Sequence, residues 1–241
     1  MTTWQGCLFF DAGLMAQEQV VILLVPFSGR IFYLTVVCYT FRINIIQQSE
    51  RRKEMFKLGA ITVGQSPRTD VTDDIMGIFQ GKVEILERGA LDGLTVEDID
   101  KLAPDAGEYV LVSRMRDGSQ VSFSEQKILP RIQECIEQLE AEGVKMILFF
   151  CTGEFDYKFK SRVPLIFPCD LISRLIPVLC GDRQLIVVTP TQRQVQQSQE
   201  KWRKYVNDVV TVAASPYGGW EEIEQACRKI SALQGPLVVM D

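Results

Sequence analysis

From about residue 55 onward, short apolar runs alternate with longer stretches whose apolar residues recur every three or four positions. This is the pattern of strands followed by helices. Residues 58–63 are the first run. It leads into Gly64-Gln65-Ser66-Pro67-Arg68, after which Val71, Ile75, Ile78 and Phe79 share one helical face up to Gly81. Ser66 followed by Pro67 suits a helix N-cap and first helical position. Residues 83–86 read as a second strand, Thr95 with Asp98 as the capping box of a short helix, and residues 109–113 and 120–123 as a hairpin around Asp117-Gly118. Ser124 then opens a long helix with Ile128, Ile132, Cys135, Ile136 and Leu139 on its apolar stripe and Gly143 as its stop.

The next run, residues 146–150, ends abruptly in Cys151-Thr152-Gly153. In open α/β sheets ligands bind beyond the carboxyl ends of such strands, so Cys151 is expected at a mouth of this kind. It either does chemistry there or fills space as a buried strand-end cysteine. A short strand at 165–167 follows, then a helix at 171–179 with Leu171, Leu175 and Leu179 at four-residue spacing. Beyond it come a strand at 184–188 ending in Thr189-Pro190, a helix at 191–205, a strand at 209–213 running into Ser215-Pro216-Tyr217-Gly218-Gly219, a helix at 220–233 and a strand at 237–240. The alternation predicts an α/β fold: two similar doubly wound parallel-sheet lobes, 55–163 and 164–241, with an inserted β-hairpin in the first.

Residues 1–54 fit this pattern poorly. Their apolar stretch at 20–46 is broken by Arg30 and Arg42 into pieces shorter than the ~18 residues of a spanning helix. Asp11 and Glu18 stand where a secretory leader would be basic. Arg51-Arg52 is what an in-frame, purine-rich AGG AGG would encode just ahead of Met55. Residues 1–54 are therefore expected to be a spurious or disordered extension, with Met55 as the start.

Composition narrows the chemistry. A content of 46% hydrophobic and 24% charged residues is ordinary for a globular protein, and the net charge of −5 offers no basic field for nucleic acid. The sequence holds no histidine, so acid/base work falls to Cys, Asp, Glu, Lys or Tyr. Its seven cysteines form no CxxC pair, which indicates neither a zinc site nor a disulfide framework and suits a reducing cytoplasm. No GxGxxG or Walker A pattern supports a nucleotide cofactor. The turn at 64–68 opening a helix is a candidate anion site, with Gln65, Ser66 and Arg68 as carboxylate partners; a plain capped helix with a solvated arginine is the alternative. Thr152 offers an oxyanion-type contact or a turn, and Thr189, Ser215 and Tyr217 lie at the strand ends of the second half.

Residues 61–68 (Ile-Thr-Val-Gly-Gln-Ser-Pro-Arg), residues 103–108 (Ala-Pro-Asp-Ala-Gly-Glu), Ser173-Arg174 ahead of Pro177 and the strand into Cys151 together resemble the AroM-like family of the aspartate/glutamate/hydantoin racemase superfamily. The resemblance covers about 58–240. It implies two pseudosymmetric lobes with the active site between them and no metal, nucleotide or pyridoxal cofactor. In the superfamily's racemases two cysteines, one from each lobe, face each other across the substrate's α-carbon. Cys151 matches the first; the second is expected just after Asp241, where this sequence ends. Cys169 and Cys180 flank a helix read as structural, and Cys227 is expected on the inner face of the last helix. The resemblance implies a cofactor-independent racemase or isomerase-like enzyme acting on a small-molecule carboxylate. The competing expectation is a non-catalytic small-molecule-binding or regulatory protein of aromatic amino-acid metabolism. Neither expects nucleic acid or membrane as a partner, and both leave room for a homo-oligomer.

Overall fold

The structure, a computed structural model, describes residues 55–233 and 236–241; the expectations for residues 1–54 lie outside the described residues. Strand β1 (Phe56–Thr62) is buried at every position but Lys57, as a strand covered on both faces must be. It lies between β2 (Val83–Gly89) and β5 (Met146–Phe149) in a parallel sheet of order β2-β1-β5-β6, β6 being Leu165–Ile166. The period-two alternation sorts the apolar residues to two faces. Phe56, Leu58 and Leu148 pack against Phe79 of helix α1 (Thr69–Phe79). Ile61, Ile147 and Phe149 meet Ile128, Ile132, Ile136 and Leu139 of helix α3 (Glu125–Ala141) on the other side.

Between β2 and α3 come the short helix α2 (Val96–Asp100), with the Thr95/Asp98 capping box formed, and strands β3 (Val110–Arg114) and β4 (Gln120–Ser124), paired antiparallel. Gly118 takes a φ of +89° at their turn, a backbone that glycine adopts freely. A second parallel sheet of order β8-β7-β9 joins β7 (Leu185–Thr189), β8 (Val209–Ala213) and β9 (Leu237–Met240). One face carries Ile176 and Cys180 of helix α4 (Pro168–Cys180) with Trp202 of helix α5 (Val195–Arg203); Ala226 of helix α6 (Trp220–Ser231) packs near Val188 and Ala214. The molecule is thus α/β, with parallel sheets and helices. None of the described helices is long and apolar enough to cross a membrane.

Three local expectations differ from what is found. Helix α1 begins at Thr69 with Arg68 in the cap position, so Ser66 is not its N-cap. The Asp92 carboxylate takes Ser66 instead, accepting from both its backbone N–H (3.0 Å) and its hydroxyl. Ser124 stands at the α3 cap position, yet its hydroxyl is buried and caps nothing. In α4 the inward stripe is Cys169, Ser173, Ile176 and Cys180, whereas Leu171 is 44% exposed. Leucine spacing marks a face nearly opposite to the one the helix turns inward, and the small thiols and hydroxyl on that inward stripe fit the dense packing of a core.

Candidate functional site

The two sheets aim their carboxyl ends at one cleft. In the first, the β1/β5 register puts Ile61 beside Phe149, and Phe150 N–H donates to the Ile61 carbonyl (2.7 Å), so pairing continues to the residue before Cys151. In the second, Thr189 is registered with Ala213, and Asp241 N–H donates to the Val188 carbonyl (2.8 Å). Between them lies a cavity of about 500 Å³, within the usual range for small-molecule sites. Arg68, Cys151, Thr152, Thr189 and Tyr217 all line it. Val63, Ile75, Phe79, Leu111 and Phe149 give it an apolar floor.

The remaining sequence candidates lie elsewhere. Gln65 accepts from the backbone N–H of Arg116 (3.0 Å), and Ser66 is held by Asp92. Ser215 donates to Gln120 Oε1 (2.5 Å), accepts from Tyr217 N–H (3.0 Å) and borders a neighbouring cavity that Tyr217 shares. All three shape the turns that carry Arg68 and Tyr217.

Arg68 is buried, and its fork is already used. Nε and Nη2 both donate to Asp70 at 2.8 Å, Nη1 reaches Thr62 Oγ1 at 3.4 Å, and Nη2 reaches the Tyr217 hydroxyl at 3.4 Å. The Asp70 hydrogen bond raises the Arg68 pKa, and the same contact lowers that of Asp70. A bidentate pair of this kind is strong and well oriented. The negative charge expected at the N-terminus of α1 is therefore supplied by the protein's own Asp70.

Cys151 is half-buried, opening on the cavity with protein packed around it. Gly153 N–H points at its sulfur (N···Sγ 3.2 Å). A Cβ on Gly153 would stand 2.9 Å from Leu111 Cδ2 and 3.1 Å from Cys151 Sγ, so the close approach depends on glycine. Burial pushes the thiol up to about 11; the Gly153 N–H and the charge of Lys201 oppose this, and Asp241 and Cys169 add to it.

The feature the sequence did not announce lies beneath this mouth. The Lys201 side chain is 1% exposed, and its ammonium donates to Asp241 Oδ1 (2.6 Å) and to the carbonyl of Thr152 (2.8 Å). Asp241 also accepts from Ser198 Oγ (3.0 Å) and Trp202 Nε1 (2.9 Å). Burial, the largest influence, pulls the Lys201 pKa down, but Asp241 with Cys169 and Tyr109 carries it above the ordinary lysine value. Helix α5 contains several polar and basic residues, and only the spacing of Ser198, Lys201 and Trp202 on one face hints that Lys201 turns inward. Gln194 also lines the cavity with a buried Oε1 that has no partner, its Nε2 donating to Val110 O (3.1 Å). Among the described residues no cluster of three or more acidic or thiol ligands is placed to hold a metal ion.

The AroM protein family model matches residues 58–241, most of the chain and the whole of this cleft. The chain belongs to the AroM family. No curated protein and no solved structure matches it at a significant level. In AroM terms, the family match takes in both parallel sheets, the Cys151 turn and the buried Lys201–Asp241 pair.

Proposed function

We propose that this AroM chain is a cofactor-independent acid/base enzyme of the racemase or isomerase type, acting on a small carboxylated metabolite with Cys151 as its proton carrier. In this reading residues 55–163 and 164–241 are two lobes in the manner of the aspartate/glutamate/hydantoin racemase superfamily, with β3 and β4 as an insertion beside the cleft. The observation that carries the proposal is the place of Cys151: a thiol opening on a largely apolar cleft at the carboxyl ends of two parallel sheets. In the chemistry, the thiolate takes the α-proton: the C–H bond breaks, an S–H bond forms, and the electron pair passes into the neighbouring carboxyl group; the S–H proton, exchanged with solvent, then returns as that pair re-forms the C–H bond and the thiolate is regenerated. Arg68, paired with Asp70 and with Tyr217 beside it, supplies hydrogen-bond donors on the cavity wall. Since Asp70 holds its Nε/Nη2 edge, a ligand carboxylate meets the guanidinium from the Nη1 side.

One observation favours a second reading, a non-catalytic binding or regulatory protein that uses the same cleft. Burial holds the Cys151 thiol above the ordinary cysteine value, which leaves a small reservoir of base at neutral pH, although the thiolate it does form is a strong one. A panel of α-amino and α-hydroxy acids separates the two readings. The enzyme reading expects at least one acid that both raises the melting temperature and loses its α-proton NMR signal in D2O. An acid that binds and never exchanges supports the binding protein.

A further inference from the structure

Cys151 does not stand alone in the cleft wall. The residue after it, Thr152, has its carbonyl gripped by the buried Lys201 ammonium (2.8 Å), and the residue after that turns its N–H onto the sulfur (N···Sγ 3.2 Å). Lys201 reaches this point from helix α5, in the other sheet's half of the cleft, and Asp241 at the end of β9 fixes it from below at 2.6 Å. The turn that presents the thiol is thus tied to the second sheet by one cation. That cation is desolvated, so its field at nearby groups is much less screened than that of a surface lysine.

We propose that Lys201 is a positioning residue for Cys151: its ammonium holds the 151–153 turn through the Thr152 carbonyl and supplies the counter-charge that admits a thiolate in this largely apolar cleft. This rests on Cys151 being the reactive group of the cleft and assigns its activation to a residue of the opposite sheet. Within the same field lie Asp241, Cys169 at the start of α4, and Tyr109 ahead of β3, with Glu154 and Lys204 paired further out at 2.8 Å. The Lys201 charge lowers the pKa of both Cys151 and Cys169, while Asp241 raises both. Asp241 therefore sets how much of the lysine's charge the thiols feel. Asp241→Asn should release it, and Lys201→Gln should abolish it.

The test reads ionisation of the thiol itself and needs neither a substrate nor turnover, so it stands apart from the exchange experiment above. Alkylation of the full chain by iodoacetamide is followed at the Cys151 peptide by mass spectrometry between pH 7.5 and 9.5, where the rate follows the thiolate fraction. Lys201→Gln should slow Cys151 alkylation about tenfold at a given pH, the effect of roughly one pKa unit, and Lys201→Arg should recover most of the rate. Asp241→Asn should speed it severalfold. A merely structural lysine predicts the opposite sign for Lys201→Gln, because a loosened turn exposes the thiol and speeds its reaction. Should Lys201→Gln fail to fold, the two remaining variants decide. Faster alkylation in Asp241→Asn with a near-normal rate in Lys201→Arg supports the assignment. Rates in Lys201→Gln equal to or above wild type, or no acceleration in a folded Asp241→Asn, overturn it.

Discussion

At the scale of single residues, the cleft depends on close approaches that leave no space for a further carbon. Gly153 is the sharpest case, its missing Cβ standing between Leu111 and the Cys151 sulfur at 2.9 and 3.1 Å. Gly153→Ala should destabilise the protein by about 1–3 kcal/mol in urea denaturation and displace the thiol, so that ligand-dependent stabilisation falls as well. An alanine variant with unchanged stability and unchanged ligand response would show that the turn relaxes freely. Cys151, Arg68, Thr189 and Tyr217 could be placed near the mouth because strand ends and turn chemistry are local signals. Lys201 could not be singled out, because its place on the face of Ser198 and Trp202 is the one local mark that separates it from Arg203 and Lys204 in the same basic stretch, and that mark is weak. Its burial is decided by Asp241, forty residues away in sequence.

At the scale of elements, the alternation of strand and helix was readable because apolar periodicity is a direct record of which face meets the core. Every described strand of both parallel sheets lies where the hydrophobic runs placed it, within a residue or three at the ends. What failed were the signals that compete with tertiary contacts. Ser66 had the sequence of an N-cap, but Asp92, from the turn after β2, claimed it first. The 64–68 turn packs on β2 at Gly89, where an added Cβ would lie 2.5 Å from Ser66 N and 2.6 Å from Gly64 O, both backbone atoms that cannot swing aside. Gly89→Ala should therefore cost about 3 kcal/mol of stability and disturb Arg68, which the same turn carries; a urea midpoint equal to wild type would contradict the packing. In α4 the leucine spacing does not mark the buried face, because the core of the second sheet takes in Ile176 and Cys180 instead.

At the scale of the whole molecule, the buried thiols make folding sensitive to alkaline pH. Burial raises the pKa of Cys135 and Cys151 to about 11 each and also raises those of Cys169 and Cys180. A raised folded-state value means the native protein keeps its protons while the unfolded chain, near 9.0, begins to lose them. That part of the stability is complete below pH 9 and is lost as pH rises towards 11. Thermal unfolding should show a melting temperature level from pH 7 to 8.5 and falling progressively above 9; a rise over that interval would reverse the sign. The acid side behaves conversely. Asp70 has its pKa lowered by Arg68, so its share of the stability is present above the ordinary value of 3.8 and lost below it.

In the proposed function, Cys151 carries a proton to and from an acid bound in the cleft between the two sheets. The direct measurement follows the α-proton of a bound α-amino or α-hydroxy acid by NMR in D2O, comparing the unaltered chain with Cys151→Ser. Exchange is expected with the cysteine and a loss of at least about a hundredfold in the serine variant, with ligand affinity within a few-fold of the original. Exchange that proceeds equally well in Cys151→Ser would contradict this role for the thiol.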